Sequence, residues 1–240
     1  MKSFARSIRL QISMLLVLIL FLIGSATVYE LRRSRDGYLE AARLRTSVQA
    51  QVFAEYALAT IKRLDQTLLD LRSRWDGNTA HFAELVHDRQ AQIDDIAFQF
   101  VVADARGVLV FSSLKPISEY IEVQDRAYFR FHCAPDAPDR LFINPPILGR
   151  VSQRWAIQMT RTIPGAVPCN GVLAISINPN VFTDFATKLH LGPGGIVAMV
   201  RDSGEIMARY PHSELHVGKT LTDTPLLEPD APQSGSFHRV

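Results

Sequence analysis

An arginine followed closely by two aromatic residues is the feature of this chain best suited to chemistry at a binding site. Arg126 precedes Tyr128 and Phe129. A guanidinium group offers a planar set of hydrogen-bond donors that suits a carboxylate, and nearby aromatic rings supply apolar walls with a polar tip. These residue types indicate a site for a small organic anion or an amino acid. The alternative is that Arg126 pairs with Asp125 or Glu122 and only holds a loop, since exposed arginines usually do nothing specific.

Four further side chains are candidates for the same ligand-binding site. Tyr120 could close the pocket, or it could be a surface aromatic residue, and Asn144 and Ser176 could supply polar contacts from neighbouring strands. Trp155 begins a predicted strand in which alternate side chains face opposite ways. It shares a face with Ile157, Met159 and Arg161, whereas Gln158 and Thr160 lie on the other face. A tryptophan is more often part of a core than a ligand contact, so Trp155 has the weakest claim.

Signals for catalysis, metals and cofactors are weak throughout the chain. His212 and His216 have a spacing seen in metal sites, but Pro211 and the loop-like surroundings argue against a helical metal site. The glycines between Leu191 and Gly195 do not form a phosphate-binding loop, because a proline interrupts them and no helix follows. No serine lies in a Gly-x-Ser-x-Gly turn. We therefore expect no active site, no metal and no cofactor.

The elements that must position the site begin with an apolar segment. Residues 10–29 carry no charge, and three cations precede them: Lys2, Arg6 and Arg9. A helix rises ~1.5 Å per residue, so twenty residues span the ~30 Å hydrocarbon core of a bilayer. Basic residues favour the cytoplasmic side, which predicts a cytoplasmic N-terminus at residues 1–9 and a transmembrane helix at 10–29. The alternative is a cleaved signal peptide with small residues at 24–26, and both interpretations export everything after residue 30.

A long helix is predicted to continue outward from the apolar segment as a stalk at residues 30–76. Its apolar residues recur at alternating spacings of four and three: Ala50, Ala54, Ala57, Ile61, Leu64, Leu68, Leu71 and Trp75. Such a seam belongs to a helix that either pairs with another helix or lies on a domain. The stalk is therefore where we expect a homodimer to form.

Beyond the stalk, a shorter helix at about 80–92 gives way to a strand pattern. Strands are predicted at about 98–103, 108–112, 141–144, 154–163 and 171–177, with a helical or looped segment at 118–131. One helix-capped antiparallel sheet of about five strands fits this segment, which makes the fold class α+β.

The strand–turn–strand pattern then recurs. Residues 196–210 resemble residues 98–112 in shape and turn chemistry, and the turn aspartates Asp104 and Asp202 are 98 positions apart. This distance is too long for a solenoid repeat and indicates a duplicated domain, joined at Leu191 to Gly195. The second copy is expected to be incomplete, with a strand beginning at 235–240.

Charge argues against nucleic-acid binding. The chain has 26 basic and 24 acidic residues, and setting aside the three cations before the apolar segment leaves the exported part close to neutral. The charges are also interspersed, so no basic field is available for DNA or RNA.

Three motifs, in order along the chain, resemble double Cache sensor domains. They are Asp125 to Arg130, Leu141 to Arg150 and Arg154 to Arg161, and Leu191 to Gly195 resembles the segment that joins the two Cache modules. Such domains are the periplasmic regions of bacterial diguanylate cyclases, sensor histidine kinases and chemoreceptors.

The resemblance implies a membrane-distal, PAS-like ligand-binding module at 77–190 and a smaller membrane-proximal module at 191–240, incomplete here. It also implies that Arg126 and the following aromatic residues line the ligand pocket. In the family, a second transmembrane helix and an output domain follow, and this chain contains neither. We therefore expect a truncated gene product or a fragment that is not itself an enzyme.

Ser176 marks a departure from the amino-acid-binding members of this family. Those sensors carry an acidic residue on the matching strand to hold the ammonium group of the ligand, whereas this chain has Ser176 there and Asn178 just after. A neutral residue leaves a buried ammonium group uncompensated. The departure favours an organic anion or another small polar metabolite over an amino acid.

The two cysteines have open alternatives. Antiparallel pairing of strands 141–144 and 154–163 would place Cys133 and Cys169 at the same end of the sheet. A bacterial periplasm permits a disulfide between them, and two separate buried thiols are the alternative.

The expected function is a periplasmic signal-input region, anchored in the bacterial inner membrane, that binds a small molecule and acts on a cytoplasmic output. The alternative is a stand-alone, membrane-tethered periplasmic ligand-binding protein without output. Continuation of the coding sequence beyond Val240 into a spanning helix and an output motif would distinguish the two.

Overall fold

The computed structural model describes residues 2–165, 169–222, 224–228, 230–232 and 235, with side chains from Met14 onwards except at residue 226. Its helices are α1 (Lys2–Ser73), α2 (Thr79–Gln90), α3 (Ala127–His132), α4 (Asn180–Thr187) and α5 (Ser213–His216). Its strands are β1 (Ala97–Ala103), β2 (Leu109–Ser112), β3 (Phe142–Ile143), β4 (Ile147–Leu148), β5 (Trp155–Thr162), β6 (Val172–Ile177), β7 (Val197–Val200) and β8 (Ile206–Tyr210). The fold is α+β, as predicted, with a long apolar N-terminal helix followed by an antiparallel sheet domain.

The chain divides into two compact units, one containing the chain up to Gln49 and the other running on from Ala50. In the first unit, α1 exposes every apolar side chain from Met14 to Ile23. Within the described residues, α1 alone is long and apolar enough to cross a membrane, and its most apolar 18-residue window has a mean hydropathy of 2.2. A membrane anchor and a signal sequence both meet these criteria.

In the second unit, the apolar seam of α1 lies on the sheet. Ala57, Leu64, Leu68 and Leu71 are buried and pack with the side chains of the sheet that face the helix. Ala50 and Ala54, at the start of the same seam, are exposed. From Ala57 onwards the seam therefore serves packing within the chain, because the sheet offers the apolar surface that a second helix would otherwise provide.

The main sheet is antiparallel, with strand order β2-β1-β6-β5-β3 and the two-residue strand β4 pairing with β5. It thus has six strands where the sequence predicts about five, and the predicted antiparallel pairing of the third and fourth strands is present as Phe142 opposite Thr160. The segment predicted to be helical or looped is a loop that ends in the short helix α3.

The recurring hairpin is present as β7 and β8, which form a separate two-stranded antiparallel sheet. Helix α4 is not among the elements predicted from the sequence. Its Phe182 and Ala186 are buried, and its Phe185 stacks on Tyr56 of α1 at 3.9 Å between ring centroids. The strand expected at 235–240 lies outside the described residues except for Gly235, which has no regular structure.

An ionic network joins α1 to strand β5 and to the loop that precedes β3. The guanidinium group of Arg161 on β5 donates two hydrogen bonds of 2.7 Å to the carboxylate of Asp65. Asp139 accepts a 2.6 Å hydrogen bond from Arg72 and lies 3.5 Å from Arg161. The hydrogen bond from Arg72 is the main reason why the pKa of Asp139 is lowered. The helix is therefore fixed to the sheet by directional contacts as well as by apolar packing.

Candidate functional site

A buried row of polar side chains crosses the sheet face that points away from α1. Gln99 on β1 and Gln158 on β5 both lie opposite Ser176 on β6, so the three side chains share one line across three adjacent strands. Asn144 follows β3, and its backbone N–H donates a 2.8 Å hydrogen bond to the Gln158 carbonyl. All four side chains are buried. Burying an amide or hydroxyl group without a hydrogen-bond partner destabilises the folded protein. A row of such groups therefore indicates a surface that binds a polar ligand.

The hydrogen bonds that these four side chains make leave some of their polar atoms without a partner. Gln99 donates to the Ser112 hydroxyl at 3.0 Å, but Gln158 reaches the Ser176 hydroxyl only at 3.5 Å. Within the described residues, the amide oxygens of Gln158 and Asn144 have no partner. Because a serine hydroxyl can donate or accept, one end of the Gln158 amide is left unpaired whichever way the amide is turned. An unpaired buried polar group costs about 1–3 kcal/mol, which a ligand could recover.

A small cavity of ≈ 20 Å³ lies over the two glutamines. Its polar lining comes from Gln99, Gln158, Tyr128, Arg126 and Arg150. The apolar lining consists of Val101, Leu109, Val123 and Val151, with Gly149 completing the wall. This volume accommodates about one water molecule, so a ligand of several heavy atoms requires part of the wall to move.

The start of helix α3 positions Arg126 and Tyr128 at this cavity, whereas Phe129 does not line it. Tyr128 and Phe129 are buried in the cluster beneath the helix, and Arg126 precedes its first turn with an extended backbone. Burial raises the pKa of Tyr128, which keeps the phenol protonated. Phe129 packs against the turn between β1 and β2, where Gly107 has a φ of +73° and a Cβ would lie 3.2 Å from the Phe129 ring.

Arg126 does not form the ion pair considered as its alternative role. Its guanidinium group donates to the Leu148 carbonyl at 3.2 Å, and no carboxylate in the described part of the chain lies within ion-pair distance. Asp125 pairs instead with Arg150 at 2.6 Å, and this hydrogen bond is the main reason why the pKa of Asp125 is lowered. Arg150 also donates to the Glu122 carbonyl. Arg126 therefore lines the cavity with its charge uncommitted to a carboxylate.

Of the seven candidate residues, only Arg126 and Tyr128 line this small cavity. Phe129, Asn144 and Ser176 are buried but do not line it, and Tyr120 and Trp155 are exposed. The side chain of Tyr120 is 72% exposed, and its hydroxyl donates to Glu122 at 2.8 Å, which raises the pKa of the phenol. Trp155 is 55% exposed and lines a wider, open cavity of ≈ 340 Å³. That outer cavity shares Arg126, Gly149 and Arg150 with the inner one, so the two cavities meet at these three residues.

Three residues that line the cavity are not among the candidates predicted from the sequence: Gln99, Gln158 and Arg150. A usable signal was present for Gln99, which stands alone as a polar residue in the apolar strand β1. The strand pattern puts Gln158 on the face opposite the candidate Trp155, and it does not identify that face as the one that lines the cavity. Arg150 lies in one of the three resemblance motifs, yet its place at the cavity depends on how the hairpin of β4 and β5 turns.

The far end of α3 is fixed by a disulfide between Cys133 and Cys169, whose Cα atoms are 5.0 Å apart. It ties the end of the helix to the turn between β5 and β6. His212 and His216 flank and end the short helix α5, and the described residues contain no cluster of three or more side chains able to hold a metal ion.

The fold of this chain is similar to that of several solved structures. Neither the protein-family models nor the curated proteins include a significant match. Among solved structures, the extracellular domain of a proposed histidine kinase, rpHK1S-Z16, is 22% identical with a TM-score of 0.62, covering 80% of this chain and 78% of that one.

Two chemoreceptor domains are also similar. The ligand-binding domain of Campylobacter jejuni Tlp3, in complex with 4-methylisoleucine, is 14% identical with a TM-score of 0.54, covering 81% of this chain and 75% of that one. The corresponding domain of Pseudomonas fluorescens CtaA, in complex with L-valine, is 15% identical with a TM-score of 0.56, covering 79% and 80%. The chain thus has the fold of extracellular ligand-binding domains of sensor proteins. Within that class, its fold is that of the Cache-type sensor domains.

Proposed function

We propose that this chain is the extracytoplasmic small-ligand sensor region of a bacterial transmembrane signal-transduction protein, of the diguanylate cyclase or histidine kinase type. The observation that carries the proposal is the buried polar row beneath Arg126, which has an unpaired amide and lies in a Cache-type fold. Residues 10–29 would anchor the chain in the inner membrane, and the stalk at 30–76 would lead to the distal module at 77–190. Residues 191–240 would belong to the proximal module.

The charges around the cavities support a carboxylate ligand without an ammonium group. Arg126 and Arg150 line both the inner and the outer cavity, and no acidic side chain in the described residues lines either. Tlp3 and CtaA are complexed with amino acids, whose ammonium group requires an acceptor of opposite charge. Here the polar row offers that group only neutral partners. The proposed ligand class is therefore a small organic anion.

A thermal-shift screen of the full chain in lipid nanodiscs tests the ligand class. We expect acetate, L-lactate, succinate or L-malate to raise the melting temperature, and L-alanine and L-valine to leave it unchanged. A ligand at a hundred times its Kd stabilises a fold by about 2.7 kcal/mol, which corresponds to a shift of about 5–10 °C for a domain of this size. Stabilisation by the amino acids but by none of the acids would contradict the proposal.

Signalling further requires that the ligand change the conformation of the stalk. Binding shifts a conformational equilibrium only when the ligand has different affinities for the two states. In the first unit, α1 exposes Leu44 and Val48, which lie one helical turn apart. The only two cysteines in the chain are joined in a disulfide, so single-cysteine variants at these positions report on a dimer directly.

We expect Leu44→Cys and Val48→Cys to form disulfide-linked dimers in membranes, and we expect the yield to change when the ligand is added. Thr46→Cys is the matched control, since a residue two positions away lies on the opposite side of a helix. A sensor shows ligand-dependent cross-linking at Leu44 and Val48 and little at Thr46. Cross-linking that the ligand does not alter would favour the stand-alone binding protein.

A further inference from the structure

The inner and outer cavities are separated by the tip of one hairpin. The strands β4 and β5 pair through Ile147 opposite Ala156 and Leu148 opposite Trp155, and the turn is closed by a 2.9 Å hydrogen bond from the Gly149 N–H to the Arg154 carbonyl. Gly149 and Arg150, at this tip, line both cavities. A ligand that passes from the open outer cavity to the buried glutamines must displace this tip.

Arg150 provides the polar contacts that hold the tip in place. Its guanidinium group pairs with Asp125 at 2.6 Å and donates to the Glu122 carbonyl, both in the segment that leads into α3. Arg126 adds a hydrogen bond from that segment to the Leu148 carbonyl of the hairpin. Two arginines therefore join the hairpin tip to the segment before α3, directly above the polar row.

We propose that the ion pair between Asp125 and Arg150 is a latch that the ligand opens by exchange. The ligand carboxylate takes the place of the Asp125 carboxylate on Arg150, which brings it between Arg150 and Arg126. The hairpin tip moves aside, and the rest of the ligand reaches Gln158. This step rests on the proposed function and makes Arg150 a specificity-determining residue of the same site.

The exchange is favourable for reasons of charge and solvation. One carboxylate replaces another on Arg150, so the guanidinium group is never left uncompensated. The Asp125 side chain is 63% exposed, so it returns to water at little cost. Arg126 has no carboxylate partner among the described residues, and it gains one only when the ligand enters.

The Gln158 amide restricts the ligand class further. Gln158 is 7% exposed, and one end of its amide is unpaired whichever way the amide is turned. A hydroxyl group both donates and accepts, so it satisfies that end in either orientation. A small hydroxy acid, with its carboxylate on the two arginines and its hydroxyl group on Gln158, meets all of these requirements.

The test compares L-lactate with propionate, which lacks only the hydroxyl group, on the full chain in nanodiscs. We expect Asp125→Asn to tighten lactate binding about 1.4- to fivefold, because an exposed ion pair that competes with the ligand is worth about 0.2–1 kcal/mol. Arg150→Ala is expected to weaken it about tenfold or more, since it removes a charge-assisted contact. Arg106→Gln is the matched control, because it removes another exposed guanidinium–carboxylate pair of the same module, to Asp104 at 3.1 Å.

A second measurement tests the latch independently of the proposed ligand class. Hydrogen exchange at the hydrogen-bonded amides of Gly149 and Gln153 should be faster in Asp125→Asn than in the wild type without any ligand. If neither acid binds the wild type, the proposed ligand class fails, while the exchange rates still test the latch. If the acids bind and Asp125→Asn alters neither affinity nor exchange, the latch is overturned and the sensor proposal stands. Equal affinities for lactate and propionate would overturn the role of the hydroxyl group.

Discussion

Replacement of Arg126 by alanine is expected to weaken binding of the carboxylate ligand on the order of 100-fold. In the wild type, the guanidinium group lines both cavities and has no carboxylate partner in the described residues. Removing one partner of a desolvated, hydrogen-bonded charge pair costs about 2–5 kcal/mol, because the other charge is left buried and unpaired. About 2.8 kcal/mol corresponds to a factor of 100 in Kd. Isothermal titration of the full chain with the acid identified in the screen measures this loss.

Arg130 provides the matched control for Arg126. It lies on the same helix α3 and is exposed, and it lines neither cavity. Arg130→Ala should therefore leave the Kd within about twofold of the wild-type value, since surface substitutions rarely change free energies by more than about 0.5 kcal/mol. The melting temperatures of the two free variants should agree closely. Equal affinities of the two variants for the acid would show that Arg126 does not contact the ligand.

Much of the fold can be predicted from local patterns of apolar residues in the sequence. The alternating spacing of apolar residues predicts that one face of the stalk is buried, and Leu64, Leu68 and Leu71 are fully buried in the structure. The same pattern cannot tell whether a helix or a sheet covers that face, because both offer apolar side chains at suitable intervals. The two-residue strand β4 was missed for a related reason: it is too short to show any period.

The candidate site could be predicted only in part. Some of its residues are close together in the sequence, whereas others are brought together only by strand pairing. Arg126, Tyr128 and Phe129 are close in sequence, so their types and spacing are visible without a structure. Gln99 and Gln158 are 59 positions apart and share a row only because β1 and β5 both pair with β6 in a particular register. Non-local register depends on tertiary packing, and a single sequence does not reveal it.

This difference has a functional consequence. The part of the site that sequence reveals supplies positive charge, and it would suit any small anion. The part that depends on register supplies neutral hydrogen-bonding groups, which distinguish one anion from another. In this sheet, specificity therefore depends on strand pairing, and substitutions that shift the register should alter ligand preference more than overall affinity for anions.

The stability of the domain is expected to fall by about 2–3 kcal/mol between pH 7.5 and pH 4.5 because of a single histidine. His132, at the end of α3, is 2% exposed, its Nε2 lies 2.9 Å from the Thr160 hydroxyl, and its Nδ1 has no partner within the described residues. Burial is the main cause that lowers its pKa to about 4. In the unfolded chain the pKa is about 6.5, so between these values the unfolded state binds more protons. Stability is therefore fully retained above about pH 7 and is lost progressively as the pH falls toward 4.

Urea unfolding of the full chain at the two pH values measures this loss, with His132→Gln as the test variant. The variant is expected to be less stable at both pH values, because it loses the bond to Thr160, but its stability should change much less between them. The carboxylates whose pKa values are lowered, such as that of Asp139, contribute equally to both proteins and cancel in the comparison. His87→Gln, at an exposed position on α2, should keep the full wild-type pH dependence. The contrary result is a free energy of unfolding of His132→Gln that changes with pH as much as that of the wild type does. That result would show that His132 is protonated as readily in the folded protein as in the unfolded chain.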